Sequence, residues 1–251
     1  MSKKAIGIDI GGTGIKGALV DTKSGVLLSE RLRYETPKGG APKDIAKTLK
    51  DLISQLPGSA GLPVGICFPA VVQHGVTLSA ANVSKEWIGL DADAMFEKEL
   101  GREVHVINDA DAAGIAEVKF GAARGQKGLV IVTTLGTGIG TALMFNGKLV
   151  PNAELGHLQI DGVDYESKAA YSAKERENLS WEEWATRLQK YFSHLEALLT
   201  PDLFIVGGGV SKEHESYLPL LKLKTPIIPA ENRNRAGILG AAHWAKKHET
   251  D

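Results

Sequence analysis

Apolar residues form two pairs of short runs, and a glycine-rich turn separates the two runs of each pair. The runs are Ala5–Ile10 and Ile15–Val20 in the first half of the chain, and Leu129–Leu135 and Ile139–Phe145 in the second half. Short apolar runs bounded by turn residues are typical of buried β-strands. The turns share a sequence, because Gly12-Thr13-Gly14-Ile15 returns as Gly136-Thr137-Gly138-Ile139. The pattern therefore predicts the same strand, glycine turn and strand twice.

The rest of the apolar pattern predicts further strands that alternate with helices. Apolar residues follow helical spacing from Pro42 to Leu56, and Pro57-Gly58 ends that helix. The other predicted strands are Val26–Leu32, Val64–Phe68, Val104–Ile107, Lys148–Val150 and Leu203–Val206. The other predicted helices are Asp91–Leu100, one from Asn108-Asp109 to about Phe120, Trp181–Leu199, one that begins at Ser211, and Ala236–Lys247. Val71–Trp87 shows little periodicity and is expected to be a functional loop.

Alternating strands and helices predict an α/β fold of two lobes with a central cleft. We expect a small N-terminal lobe at residues 1–108 and a large C-terminal lobe at residues 109–235, with the helix at 236–247 packing back on the first lobe. In the second lobe, Ser180 and Glu183 match a capping box at the start of a helix. That helix carries a wide aromatic face, which fits either core packing or a self-association surface.

Composition and charge exclude several classes of protein. The 251 residues carry 29 Lys and Arg against 30 Asp and Glu, so no basic field indicates nucleic-acid binding. No run approaches the ~20 apolar residues of a membrane span, and Met1-Ser2-Lys3-Lys4 leads into a strand without a signal-peptide core. The single cysteine, Cys67, lies in an apolar run and is expected to be a buried, inert thiol. We therefore expect a soluble cytoplasmic protein.

The two glycine turns carry the first candidate chemistry. Asp9 lies near the end of the first predicted strand, and the glycines after it let phosphate oxygens or a hydrated metal approach the backbone. Asp9 would orient a magnesium ion. The candidate phosphate-binding residues are Gly11, Gly12, Thr13, Gly14 and Lys16 in the first stretch and Thr134, Gly136, Thr137 and Gly138 in the second. A tight hairpin alone would explain one copy, but the repeated threonine favours phosphate binding.

Asn108-Asp109 lies where a predicted strand passes into a helix. A carboxylate at this position sits at the positive end of the helix dipole, which favours its ionised form. Asp109 could accept the proton of a hydroxyl group while the oxygen attacks phosphorus. It could equally be a helix cap, as Asp after a strand often is. The spacing leaves both interpretations open.

Polar side chains elsewhere are candidates for binding a small polar ligand. Asn152, Glu154 and His157 lie in one loop, and such a cluster can hold several hydroxyl groups. Asn82 and Glu166 are candidates on the same reasoning. Each of these residues is weak evidence alone, because a lone histidine is usually a structural group.

Gly208 and three basic residues are candidates for anion binding. Gly208, in the turn Gly207–Gly209, could face an anion at the start of a helix or simply close a strand-to-helix turn. Lys119, Arg124 and Lys127 precede the second glycine turn. Such charges are ordinarily a solvated surface, although their position is compatible with an extended polyanion.

Together these segments resemble the ROK sugar kinases (repressor, open reading frame, kinase). The matching segments, in the family's order and spacing, are Asp9-Ile10-Gly11-Gly12-Thr13, Asn108-Asp109, Leu135–Gly140, Glu154-Leu155-Gly156-His157 and Gly207–Val210. The resemblance covers nearly the whole chain and implies the actin-like ATPase fold, with two ribonuclease-H-like lobes, in a homodimer. It implies that Asp109 is the catalytic base for a sugar 6-hydroxyl. The implied ligands of the hexose hydroxyls are Asn82, Asn108, Glu154, His157 and Glu166, and the implied phosphate and magnesium clamps are Asp9 and the two glycine turns.

The segment after His157 departs from the family pattern. Many family members follow the Glu-x-Gly-His segment with a cysteine-rich zinc loop, whereas Gly162–Tyr165 here contains no cysteine. We therefore expect no zinc, which leaves His157 for the sugar. This zinc-free form, with Asn108–Gly114 and Tyr191–Glu196, is similar to the polyphosphate-dependent glucokinases and glucomannokinases. The resemblance implies inorganic polyphosphate, often with ATP as well, as the phosphoryl donor.

The expected function is phosphoryl transfer from inorganic polyphosphate to the 6-hydroxyl of glucose, with Mg²⁺ required and with the use of ATP as a second donor and of mannose as a second acceptor left open. The alternative in the same family is a strictly ATP-dependent glucokinase or another hexose or N-acetylhexosamine kinase. A sugar-responsive repressor would need a helix-turn-helix before the first glycine turn, where only Met1–Lys4 precede the strand. A catalytically silent sugar-binding module is disfavoured, because both phosphate clamps and Asp109 are present together.

Overall fold

The computed structural model describes residues 3–81 and 83–249, which fold into two compact α/β units. The first unit contains Met1–Ala112 and Arg235–Asp251, and the second contains Ala113–Asn234. Among the described residues, no helix combines the length and the apolar character that crossing a membrane requires.

Each unit is built on one mixed β-sheet. The strands of the first unit are β1 (Lys4–Ile10), β2 (Ile15–Asp21), β3 (Val26–Leu27), β4 (Leu32–Tyr34), β5 (Val64–Phe68), β6 (Val72–Gln73), β7 (Val76–Thr77) and β8 (Val104–Asn108). The strands of the second unit are β9 (Leu129–Leu135), β10 (Ile139–Phe145), β11 (Lys148–Val150), β12 (Gln159–Ile160), β13 (Val163–Asp164), β14 (Leu203–Gly207) and β15 (Ile227–Pro229). Strands β6 and β7 form a separate hairpin, as do β12 and β13.

The two sheets repeat one topology. Their strand orders are β3-β2-β1-β5-β8 and β11-β10-β9-β14-β15, with β4 added beside β2 in the first. In both sheets the first three strands are antiparallel and the last three are parallel. The duplicated strand, turn and strand predicted from the sequence is thereby confirmed, since β1–β2 and β9–β10 occupy the same place in their sheets.

The helices cover these sheets. They are α1 (Pro42–Ser54), α2 (Ala92–Leu100), α3 (Asp109–Phe120), α4 (Glu166–Ala169), α5 (Tyr171–Arg176), α6 (Trp181–Leu199) and α7 (Ala236–His248). Helix α7 packs against β1 and β5, where two glycines permit a close approach. A Cβ atom on Gly7 would overlap the carbonyl oxygen of Ile238, and one on Gly65 would overlap that of Ala241. The last helix of the chain therefore belongs to the first unit.

Helix α6 supplies the core of the second unit. The side chain of Ser180 accepts a hydrogen bond from the backbone of Glu183, whose carboxylate accepts one from Ser180 N, so the predicted capping box is confirmed. Its aromatic face is buried, and Phe192 packs edge-on against Phe204 of β14, with ring centroids 5.1 Å apart. Of the two interpretations of this face, core packing is confirmed.

Three of the predicted segments differ in the structure. The predicted strand Val26–Leu32 is two short strands, because the hydroxyl of Ser29 accepts the hydrogen bond of Leu19 N, at 3.0 Å, where the chain bends. The helix expected from Ser211 is a 3₁₀ helix at Gly209–Ser216. The segment Val71–Trp87 contains the β6–β7 hairpin and a 3₁₀ turn, Lys85–Trp87, that places Trp87 in the core.

Candidate active site

Asp9 lies near the carboxyl end of β1, and both of its carboxylate oxygens have partners. Lys16 Nζ lies 3.0 Å from Oδ2, on the neighbouring strand β2. The thiol of Cys67, which pairs with Asp9 in the parallel register of β5, donates to Oδ1 at 3.4 Å. Two neighbouring strands therefore hold the orientation of this carboxylate.

The first turn of α7 packs against the same pair. A Cβ atom on Gly237 would lie 2.8 Å from Sγ of Cys67 and 3.2 Å from Cγ of Asp9. Burial, and then the negative charge of Asp9, raise the pKa of the Cys67 thiol well above its ordinary value. The thiol is buried, as the sequence predicted, and stays protonated at neutral pH.

Asp9 suits a magnesium ion that is coordinated by the phosphates of a substrate as well. It does not suit a metal ion that is held by protein side chains alone. Within residues 3–81 and 83–249, no group of three or more His, Cys, Asp or Glu side chains could hold a metal ion. Mg²⁺ usually takes one or two carboxylates and completes its octahedron with phosphate oxygens and water. One oriented carboxylate beside a glycine turn with candidate phosphate-binding groups meets that requirement.

Asn108 provides the cap of α3. Its Oδ1 accepts hydrogen bonds from the backbone nitrogens of Ala110 and Asp111, at 2.9 and 3.0 Å, and its Nδ2 donates to the carbonyl of Ala70 at 3.0 Å. The residue is buried, so these bonds satisfy polar atoms that water does not reach. The oxygen of this amide already accepts two hydrogen bonds, and one hydrogen of Nδ2 is donated to Ala70. A sugar contact by Asn108 would therefore depend on the second hydrogen of Nδ2.

Asp109 is the exposed first residue of α3. Its Oδ1 accepts a hydrogen bond from Ala110 N at 2.8 Å. Since Asn108 already caps the helix, capping is not needed to account for Asp109. A carboxylate on the first turn of a helix is held ionised by the helix dipole, which suits a group that must accept a proton.

The first glycine turn is closed by a hydrogen bond from Gly11 N to Gly14 O, at 3.1 Å. Thr36 Oγ1 donates to the carbonyl of Gly11 at 2.5 Å, and Arg33 Nη2 donates to the carbonyl of Thr13 at 3.4 Å. Arg33 was not among the residues predicted from the sequence, because its place beside the turn depends on the pairing of β4 with β2. The turn is thus held through its carbonyl groups.

The second glycine turn is held in the same manner. Gly136 N donates to Gly138 O at 3.0 Å, and Ser172 donates from its backbone nitrogen to Gly136 O and from its hydroxyl to Thr137 O, at 3.1 and 2.6 Å. Gly208, which follows β14 with a φ of 84°, lies against Leu135, and a Cβ atom there would overlap the Leu135 carbonyl oxygen. The predicted phosphate-binding residues Thr134, Gly136, Thr137, Gly138 and Gly208 therefore lie close together.

Glu166 is brought to the second glycine turn from a distant part of the sequence. Its Oε2 accepts a hydrogen bond from Ile139 N at 2.7 Å. A Cβ atom on Gly138 would overlap the same oxygen. The glycine is therefore required for the carboxylate to approach, and a proposed sugar ligand is fixed to a proposed phosphate clamp.

The loop with Glu154 and His157 is anchored to β10. A Cβ atom on Gly156 would overlap the carbonyl oxygen of Ile139, and Thr141 Oγ1 bonds to the carbonyl of Ala153. Although Glu154 keeps solvent-exposed surface, desolvation by the surrounding chain raises its pKa, and the negative charge of Glu166 adds to this rise while His157 opposes it. Two proposed sugar ligands therefore influence each other electrostatically.

His157 is paired with a residue that the sequence analysis missed. Its Nδ1 lies 2.8 Å from Oδ2 of Asp164, and this contact is the main cause that raises the pKa of His157. The charges of Glu166, Asp164 and Glu154 raise it further, while partial burial opposes them. Asp164 stands in the segment where many family members have zinc-binding cysteines, and that departure was the only signal in the sequence.

The other candidates are placed differently. Asn82 lies outside the described residues. Lys119, Arg124 and Lys127 are exposed, and Lys127 precedes the amino end of β9, whereas Gly136 follows its carboxyl end. A strand of seven residues is about 20 Å long, so Lys127 does not lie beside the second glycine turn.

Comparison with known proteins identifies the family. Residues 5–169 match the ROK family. The chain is 44% identical over 241 residues to a polyphosphate glucokinase of Mycobacterium tuberculosis (strain CDC 1551 / Oshkosh). The aligned region covers 96% of this chain and 90% of that protein. The chain belongs to the ROK family. The family resemblance read from the sequence is confirmed.

Two solved structures are similar along nearly the whole chain. An inorganic polyphosphate/ATP-glucomannokinase from Arthrobacter sp. strain KM has a TM-score of 0.93 and 56% identity, over 98% of this chain and 99% of that chain. A ROK family glucokinase from Streptomyces griseus, in complex with glucose and AMPPNP, has a TM-score of 0.80 and 26% identity, over 97% of this chain and 99% of that chain. The predicted actin-like ATPase fold is confirmed by these likenesses.

Proposed function

We propose that this ROK protein transfers the terminal phosphoryl group of inorganic polyphosphate to the 6-hydroxyl of glucose and that ATP is a second donor. The observation that carries the proposal is the similarity, over nearly the full chain, to a polyphosphate glucokinase and to a polyphosphate/ATP-glucomannokinase. The two glycine turns share a sequence, and each is closed by a backbone hydrogen bond and held through its carbonyl groups, which supports a donor that is bound through its phosphates.

In the proposed reaction, the oxygen of the 6-hydroxyl attacks the terminal phosphorus. The bond between that phosphorus and the bridging oxygen breaks, which leaves glucose 6-phosphate and a polyphosphate that is one unit shorter. Asp109 accepts the hydroxyl proton. Most of the rate enhancement comes from positioning and charge neutralisation, as in other phosphoryl transfers.

The sugar would be held by side chains with complementary hydrogen-bonding capacity. Carboxylates at Glu154 and Glu166 accept hydrogen bonds from hydroxyl groups. In His157, Nδ1–H donates to Asp164, so Nε2 also carries a hydrogen and can donate to the sugar only when the ring is protonated. The raised pKa of His157 favours that form. Asn82 and Asn108 are proposed as further sugar contacts.

The phosphates would be held by the two glycine turns, Lys16, Thr134 and Gly208. Asp9 would be the protein ligand of Mg²⁺, which when bound neutralises the charge on the phosphate oxygens. We propose no zinc site, because Asp164 holds His157 at the position where other family members have a zinc loop.

The two units of the chain would be the two lobes of the kinase, with the predicted boundary at residue 108 shifted by a few residues to Ala112. We propose a cytoplasmic homodimer, and glucose as the main acceptor with mannose as a second one. Both follow from the family resemblance.

One assay tests the donor. The purified protein is incubated with glucose, Mg²⁺ and either ATP or long-chain polyphosphate freed of nucleotides, and glucose 6-phosphate is measured. We expect product with both donors. Product with ATP alone would favour the alternative, a strictly ATP-dependent glucokinase. A parallel reaction replaces glucose with N-acetylmannosamine. If only that reaction gives a phosphorylated sugar, the acceptor is an N-acetylhexosamine and not glucose.

A further inference from the structure

Three charged side chains form a row across the first glycine hairpin. Asp9 of β1 pairs in register with Lys16 of β2, and Lys16 pairs in register with Arg33 of β4. Directly opposite residues of antiparallel strands project from the same face of the sheet. Since neighbouring strands lie about 4.8 Å apart, the row spans about 10 Å from Asp9 to Arg33.

The guanidinium of Arg33 occupies the space beside the glycine turn where a side chain at position 14 would stand. A Cβ atom on Gly14 would lie 3.0 Å from Nε and 3.1 Å from Nη2 of Arg33. Nη2 also donates to the carbonyl of Thr13 at 3.4 Å, and Arg33 is an exposed residue. The positive charge is thus presented to solvent at the turn.

The two cations of the row differ in their availability to a ligand. Lys16 is paired with the carboxylate of Asp9. No carboxylate in the described part of the chain forms an ion pair with Arg33. A guanidinium stays charged at any ordinary pH and binds phosphate oxygens with two parallel hydrogen bonds. Arg33 is therefore suited to binding a phosphate group that lies farther from Asp9 than a phosphate bound by Lys16 would lie.

We propose that Arg33 binds the polyphosphate chain beyond the reacting phosphates, so that the row from Asp9 to Arg33 selects a long polyanionic donor over a nucleotide. The inference rests on the proposed function. In ATP the phosphate chain has three units and is joined to a nucleoside. In long-chain polyphosphate, further phosphates follow, and an arginine farther from the reacting phosphorus can bind one of them.

The test compares Arg33→Met, Arg33→Lys and the control Lys23→Gln. Methionine keeps an apolar stem beside Gly14 but removes the charge, and Lys23 is an exposed cation in the turn after the far end of β2. For each variant, kcat/KM is measured with long-chain polyphosphate and with ATP. Binding of long-chain polyphosphate without glucose is measured by calorimetry at two salt concentrations.

We expect Arg33→Met to lower kcat/KM for polyphosphate by about 10- to 100-fold, which corresponds to one charge-assisted hydrogen bond. The value for ATP should change by less than about threefold, and polyphosphate binding should weaken and depend less on salt. Arg33→Lys should retain part of the activity, because it keeps the charge but loses the fork. Lys23→Gln should match the original protein.

Two results would overturn the inference. Unchanged use of polyphosphate by Arg33→Met would show that Arg33 does not bind the donor. An equal loss with both donors would show that Arg33 only supports the glycine turn. If the unaltered protein uses ATP alone, the proposed donor itself is wrong, and this outcome is recognised before any variant is made.

Discussion

His157 Nδ1 lies 2.8 Å from one carboxylate oxygen of Asp164, and the other oxygen of Asp164 accepts a hydrogen bond from Glu166 N at 3.2 Å. One carboxylate therefore orients two proposed sugar ligands. Glu166 in turn accepts a hydrogen bond from Ile139 N, at the end of the second glycine turn. A short chain of contacts thus connects the proposed sugar ligands to a proposed phosphate clamp.

Replacing Asp164 with asparagine should lower the pKa of His157. The contact with Asp164 is the main cause of the raised pKa, and the charges of Glu154 and Glu166 would remain. The pKa can be followed by NMR titration of the imidazole protons, with His157→Gln to assign the signal. Asp161→Asn, in the adjoining turn and paired with Lys190, is the control and should leave this pKa unchanged.

The same substitution should raise the KM for glucose by about threefold to tenfold, because the charge-assisted hydrogen bond that orients the imidazole is replaced by a weaker neutral one. The turnover number should change less than the KM, since Asp164 is a positioning residue and does not touch the reacting atoms. An unchanged KM together with an unchanged His157 pKa would mean that the pairing has no functional role.

Replacing Asp109 with asparagine should lower turnover by about two to four orders of magnitude. The amide keeps the shape of the side chain but cannot accept the proton of the sugar hydroxyl. Glucose affinity, measured by calorimetry without donor, should be spared. Near-normal turnover in this variant would remove Asp109 from the role of base.

Replacing Asn108 with alanine should destabilise the fold. The change removes the cap of α3 and leaves the carbonyl of Ala70 without the Nδ2 donor, so the free energy of unfolding should fall by about 1–3 kcal/mol. Urea denaturation followed by circular dichroism measures the loss. Asp109→Asn serves as the neighbouring control, and its unfolding midpoint should shift much less. Equal shifts in the two variants would contradict the assignment of the cap to Asn108.

The two glycines of the second turn should respond differently to alanine. A Cβ atom on Gly138 would overlap the carboxylate of Glu166, whereas one on Gly136 meets no atom within 4 Å in the described structure. Gly138→Ala should therefore displace Glu166 and weaken glucose binding by about tenfold or more. Gly136→Ala should keep its glucose affinity, which calorimetry without donor would show. Equal weakening in both variants would argue against contact between Glu166 and the sugar.

Asp93 should make the stability of the first unit depend on pH. Its Oδ1 accepts a hydrogen bond from Val106 N at 2.7 Å, and burial is the main cause that raises its pKa from 3.8 to about 6. The charges of Asp91 and Glu97 add to the rise, while the Val106 bond and His105 oppose it. Because the folded state holds the proton more tightly than the unfolded state, this contribution to stability is present below about pH 4 and is lost as the pH rises through about 6.

Asp93→Asn should remove that dependence. The neutral amide keeps an acceptor for Val106 N, so the variant should gain stability relative to the original protein as the pH rises from about 4 to about 7. Urea denaturation of both proteins across this range gives the difference between their free energies of unfolding. The contributions of the other titrating groups, which both proteins share, cancel in this difference. A constant difference would show that Asp93 does not carry the shift.

Much of the fold could be predicted from the sequence because its signals are local. The apolar runs of β1 and β2, the glycine turn between them and the capping box at Ser180 each depend on residues within a few positions of one another. The two short strands near Ser29 were not predicted, because the hydrogen bond from Leu19 of β2 overrides local preference there. The 3₁₀ helix at Gly209–Ser216 was not predicted either, since a helix was expected to begin at Ser211.

The candidate site could be predicted only in part. The carriers of chemistry, such as Asp9, Asp109 and Glu166, stand out as polar residues beside strand ends and glycines. Their partners do not, because the contact of Arg33 with Gly14 depends on the register of β4, and that of Asp164 with His157 depends on the β12–β13 hairpin. Neither register can be read from a run of residues.

By itself, the sequence determined that this protein contains a duplicated glycine hairpin on an α/β scaffold, since apolar periodicity and glycine turns are properties of neighbouring residues. Only the tertiary structure decided that Asn108 is the cap of α3, that Glu166 lies against Gly138, and that Asp164 holds His157. These decisions depend on distances of a few ångströms between residues that are remote in the chain or compete for the same backbone groups. Strand register and close packing set such distances, and neither is encoded within a single local segment.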